Sequence, residues 1–115
     1  MSTLFTKIIN REIPASIIYE TDKVIAFNDI NPQAPVHFLV IPKKEIPTLN
    51  DIEASDSEYL MEMYKAIKII TSDLNIAEDG YRVISNCNKN GGQEVFHLHF
   101  HVLGGTSLGS TLCLK

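Results

Sequence analysis

Apolar and polar positions alternate most strictly over Val95-Phe96-His97-Leu98-His99-Phe100-His101-Val102-Leu103, a run closed by Gly104-Gly105. Period two is the signature of a half-buried strand, in which successive side chains point to opposite faces. The pattern predicts a strand from Val95 to Leu103, with Phe96, Leu98, Phe100 and Val102 on a core face and His97, His99 and His101 on the other. Other runs predict strands at Ile17 to Glu20, Val24 to Asn28, His37 to Pro42 and Tyr81 to Asn86. Between the third and fourth the period changes. Leu60, Met63, Tyr64, Ile67, Ile70 and Leu74 recur at helical spacing behind Ser55-Asp56-Ser57-Glu58, which reads as a capping box, so a helix to about Leu74 with that stripe as core is expected. A short helix is predicted from Phe5 to Asn10, stopped before Ile13-Pro14.

Five strands with mostly short connections and one long helix point to an α+β fold, an antiparallel sheet covered by one long and one short helix. The 115 residues are read as one domain, 1–115, able to bury about two-thirds of its unfolded surface. Residues 106–115 form a polar, glycine-containing tail, expected to be the least ordered part. A formal charge of −4 with no basic stripe argues against a nucleic-acid partner, although a mononucleotide needs only local donors. Cys87 and Cys113 lack the short spacing of a disulfide or zinc frame, which predicts reduced thiols. Neither a leader peptide nor an apolar stretch of roughly 20 residues is seen, so a cytoplasmic protein with no membrane contact is expected.

The histidine face is read as a site because nothing in packing asks for three ionisable groups on one line. Residues two apart on a strand are separated by about 6.6 Å, so three such imidazoles cannot close on one ion. Two of them, His97 and His99, could share a zinc with ligands from elsewhere, a reading that predicts stoichiometric metal in purified protein. Two imidazolium charges about 7 Å apart repel by roughly 2 kcal/mol, which favours a neutral ring beside a cationic neighbour near pH 7. A neutral nucleophile beside a charged or donating neighbour suits attack on an anionic phosphorus. Upstream, Asn86-Cys87-Asn88-Lys89-Asn90-Gly91-Gly92-Gln93-Glu94 offers a Gly-Gly loop able to turn backbone N–H groups toward an anion or simply to make a hairpin.

Gly91-Gly92-Gln93-Glu94-Val95-Phe96-His97-Leu98-His99-Phe100-His101-Val102-Leu103-Gly104-Gly105 resembles the signature of the histidine-triad superfamily, and most closely its nucleotide-binding Hint branch. Lys7 to Ala15, Ala26 to His37 and Phe38 to Lys44 resemble that branch in the same order, so the resemblance covers about Leu4 to Leu108. It implies that His99 is the nucleophile, forming a nucleotidyl-histidine intermediate, with His97, His101 and His37 assisting. It implies phosphate contacts at Asn86, Gly92 and Val95, a base pocket of Phe5, Ile8, Ile13, Phe27 and Ile30, and Asp29 as acceptor for the ribose hydroxyls. Glu94 stands where some members place a hydroxyl donor, and an ionised carboxylate does not donate. Some members bind zinc through an N-terminal Cys-x-x-Cys and a histidine; Thr3-Leu4-Phe5-Thr6 and Glu45 stand there, so no structural zinc, and no cofactor, is expected.

The resemblance also implies a homodimer whose two sheets join into one of ten strands. The implied activity is hydrolysis of purine nucleoside phosphoramidates. The rivals are a dinucleoside-polyphosphate hydrolase or nucleotidyl transferase of the same superfamily, and a non-catalytic nucleotide-binding or scaffolding module.

Overall fold

The computed structural model describes residues 3–110. Helix α1 is Leu4–Ile9, followed by strands β1 Ile17–Glu20, β2 Val24–Asn28 and β3 Val36–Pro42, helix α2 Ser57–Asp73, and strands β4 Tyr81–Ile84 and β5 Phe100–Gly104. They form one antiparallel sheet in the order β1-β2-β3-β5-β4. The last strand thus inserts between β3 and β4 and leaves β4 at an edge.

Period two sorts the side chains into two layers. On one face Val24, Ala26, Phe38, Val40, Phe100 and Val102 pack with Leu98 against Met63, Ala66, Ile67 and Ile70 of α2. On the other, Ile25, Phe27, Leu39 and Ile41 pack against Phe5 and Ile8 of α1. Strands β2 and β3 are therefore covered on both sides and read as near-continuous apolar runs. His37 and His101 fall on the α1 face by parity, and they lie diagonally because Leu39 is opposite His101 and His37 opposite Leu103.

Three sequence expectations shift. The histidine run is not one strand: β5 begins at Phe100, and residues 95–99 leave the ladder. Leu98 N–H donates to Ile46 O at 2.6 Å, and the buried His97 ring bonds Pro42 O at 2.7 Å, so this stretch is held by the segment leaving β3. Phe96 is consequently 46% exposed, whereas Leu98, Phe100 and Val102 stay in the core. Second, β4 ends at Ile84 rather than Asn86, whose side chain instead donates to Gly91 O at 2.7 Å and closes the following loop.

Third, the start of α2 is not capped by Ser55. A 3-10 turn, Ala54–Asp56, precedes it, and the buried Asp56 accepts from Glu53 N–H at 2.9 Å while pairing with Lys44. Tyr64 (57% exposed) and Leu74 (44%) of the expected stripe lie outside the core, while Thr71 is inside it, its hydroxyl bonded to Ile67 O at 2.7 Å. Helix α1 starts at a Thr3 cap and ends at Ile9, where Arg11 turns into the left-handed region at φ 61° and donates its N–H to Ile8 O. Cys87 is a free thiol; Cys113 and the end of the expected tail, residues 111–115, lie outside the described residues. No described helix is long and apolar enough to cross a membrane.

Candidate active site

A cleft of about 740 Å³ opens on the α1 face. Phe5, Ile8, Ile13, Phe27 and Ile30 line it together with Leu39 and Leu103, giving it an apolar wall. Asp29, His37, His99 and His101 line it as well, as do Asn86, Gly92, Glu94 and Val95. Every residue singled out in the sequence is thus gathered at one opening except His97. That ring is fully buried behind the wall, its centroid 6.1 Å from Phe5.

Hydrogen-bond partners assign the imidazole tautomers. His99 Nδ1 lies 2.7 Å from the His97 carbonyl, which only accepts, so Nδ1 holds the proton and Nε2 keeps its lone pair. Phe5 packs edge-on against that ring at 5.0 Å, and the His101 ring also lies 5.0 Å from it. The Gln33 backbone N–H donates to His37 Nδ1 at 3.1 Å, so neutral His37 bears its proton on Nε2. That proton faces His101 Nδ1 at 3.0 Å, which must accept, leaving His101 with Nε2–H as its donor. His97 Nε2–H donates to Pro42 O, and its Nδ1 is buried without a partner.

Charge follows burial. Desolvation holds His37, His97 and His99 below the ordinary histidine range. His101 is pushed down to about 4, first by desolvation and then by His99 and His37, with Asp29 acting the other way. Around neutral pH all four imidazoles, three lining the cleft and His97 behind it, are therefore held toward the neutral form, where spacing suggested a neutral ring beside a cationic one. The reason is that the rings are taken out of water together, a cost that spacing along a strand does not reveal.

The loop after β4 also departs from expectation. Its Gly92 N–H is spent on Lys89 O at 3.1 Å, so it is not turned outward to an anion. Gly92 sits at φ 78°, and a Cβ on Gly91 would lie 2.5 Å from Cys87 O, so both glycines serve the tightness of the turn. Gln93, not singled out in the sequence, is its anchor: Nε2 donates to Pro47 O at 2.8 Å and Val95 O at 3.0 Å, and Oε1 accepts from Asn88 N–H at 2.8 Å. Leu39 and Leu103 were legible by parity with His37 and His101, whereas the Gln33 amide gave no signal.

Among the described residues one cluster has metal-ligating donors near enough to share an ion, Asp29, His37 and His101, with atoms within 4.8 Å of one another. The second shell opposes it. A metal on His37 Nε2 would force the proton to Nδ1, against the Gln33 N–H, where ligating histidines instead donate to an acceptor. The pair His97 and His99 belongs to no group of three donors close enough to share an ion among the described residues. Thr6 Oγ1 donates to Glu45 at 3.0 Å and ties α1 to the segment after β3.

The HIT domain profile matches residues 10–108. The chain belongs to the HIT family. It is 52% identical over 113 residues to the purine nucleoside phosphoramidase of Escherichia coli K12, covering 98% of this chain and 95% of that one. Among solved HIT structures, a HIT family hydrolase from Legionella pneumophila superposes with a TM-score of 0.93 at 44% identity, covering 96% of this chain and 98% of that one. A HIT family hydrolase from Clostridium thermocellum gives 0.93 at 48% identity, with 97% of each chain covered. The five-stranded antiparallel sheet with its long helix is the HIT fold of these neighbours.

Proposed function

We propose that this HIT protein hydrolyses the P–N bond of purine nucleoside phosphoramidates through a covalent nucleotide on His99. The observation that carries the reading is the tautomer of His99: with Nδ1–H fixed on the His97 carbonyl, Nε2 is an unprotonated nucleophile in the cleft. The apolar wall of Phe5, Ile8, Ile13, Phe27 and Ile30 suits a purine, and Asp29 stands ready for ribose hydroxyls. Asn86, Gly92, Glu94 and Val95 line the same cleft, and we assign them to its phosphate end, Gly92 by shaping the turn and Glu94 through its backbone N–H. The similarity to a purine nucleoside phosphoramidase supports the substrate class.

In the first step His99 Nε2 attacks the α-phosphorus, the P–N bond breaks, and the departing amine takes a proton from an imidazolium formed on the His37–His101 pair as the anionic phosphate enters. In the second, water attacks the adduct, the P–Nε2 bond breaks, and the water's proton returns to the pair. His97 acts from behind, holding the His99 ring through its carbonyl. No metal or cofactor takes part in this scheme.

We place the enzyme in the cytoplasm as a homodimer without nucleic-acid partners. Support for pairing is the edge position of β4, with Tyr81 and Val83 exposed, and the exposed Met61 and Tyr64 on α2. The test mixes protein with adenosine 5′-phosphoramidate, quenches within milliseconds and measures intact mass. A nucleotidyl adduct mapped to the His99 peptide and lost in His99→Ala is expected. Turnover without an adduct, or an adduct on His101, overturns the role of His99, and intact ligand after long incubation favours a binding module.

A further inference from the structure

Asp29 sits where a ribose acceptor is expected, yet both its oxygens face groups of the protein itself. Oδ1 accepts from Asn31 N–H at 2.8 Å, which fixes the carboxylate in a turn. Oδ2 lies 3.4 Å from His37 Nε2 and 3.9 Å from His101 Nδ1, while those two ring nitrogens are 3.0 Å apart. The three atoms form a small triangle with one anionic corner. We infer that Asp29 is a positioning residue for the proton-donating imidazole, acting through the His37–His101 pair, so that the ribose-binding carboxylate also serves as the pair's counter-ion. The inference rests on the phosphoramidase reading for its kinetic consequence only.

The physical argument concerns what faces His101. Across the sheet β3 brings His37 and the apolar Leu39, β4 brings the apolar Ile84, and the chain entering β5 brings His99. Burial and both neighbouring rings disfavour a proton on His101, and Asp29 is the one favourable charge acting on it. Among the described residues Asp29 is the carboxylate grouped within 4.8 Å of both rings. With it, the imidazolium that forms as the phosphate enters has a counter-ion through turnover. A carboxylate that only bound ribose would have no reason to lie beside both rings.

Asp29→Asn tests this because the amide oxygen preserves the Asn31 bond while the substitution removes the charge. Two readouts are taken after circular dichroism confirms the fold. Histidine ring resonances of the ligand-free protein are titrated by NMR, and kcat and KM for adenosine 5′-phosphoramidate are measured across pH. The expected result is titration of His37 and His101 at lower pH by about one unit, and kcat reduced by at least about tenfold with KM little changed. Asp29→Glu, which keeps the charge, is expected to restore the titration in part. Unmoved His37 and His101 titrations, or a raised KM with full kcat, overturn the inference. An Asp29→Asn titration that shifts as expected beside wild-type protein that never turns over the phosphoramidate would instead overturn the functional reading, leaving the positioning intact.

Discussion

One backbone carbonyl decides what His99 can do. An imidazole whose Nδ1–H is bound at 2.7 Å to the His97 carbonyl has a single nitrogen left, and that nitrogen is a base and nucleophile. Single-residue logic also governs Gln93, whose side-chain amide joins Pro47, Asn88 and Val95 behind the loop. Gln93→Leu leaves those groups unpaired and is expected to lower stability by about 1–3 kcal/mol, read as a reduced urea midpoint, together with a lower kcat/KM. At this scale His99, His101 and His37 were legible from residue type, neighbours and the family signature. The paired tautomers were not, because a backbone N–H such as that of Gln33 has no identity in a sequence.

Among the elements, β1 and β2 stand where their patterns put them, since each is a short apolar run bounded by polar turns. The histidine run misled because alternation continues past the point where the chain stops pairing. A repeat of period two states which side chains oppose each other, and not whether a neighbouring strand is present to receive the backbone. The capping motif misled for a related reason: Asp56, one residue along, finds Lys44 as well as Glu53 N–H and displaces Ser55. The break at residues 95–99 is open to measurement. Leu98→Ala is expected to cost about 2–5 kcal/mol in chemical denaturation, whereas Phe96→Ser is expected to stay within about 0.5 kcal/mol. Equal costs would restore the longer strand.

For the whole molecule the four histidines, three buried and His101 partly so, set the response to acid. Each has a folded-state pKa below its unfolded value, so the unfolded chain binds more protons and stability rises with pH through this region. Stability is complete above the unfolded value of 6.5 and falls as pH drops toward about 4, where His101 protonates. Each unit of difference is worth about 1.4 kcal/mol, so urea midpoints are expected to fall steeply between pH 7 and 4. His101→Gln is expected to flatten that slope. A midpoint constant across the range would contradict the buried, neutral state of the rings.

The sheet has a helix over each side, and only the side under α1 meets the cleft. Odd-numbered positions of β3 and β5 therefore address selectivity, and even-numbered positions address robustness. A designer can retune the packing under α2, at Val40 or Val102, to change stability while leaving the choice of nucleotide alone. The same parity tells which library positions to randomise when a different base is wanted, beginning with Leu39 and Leu103.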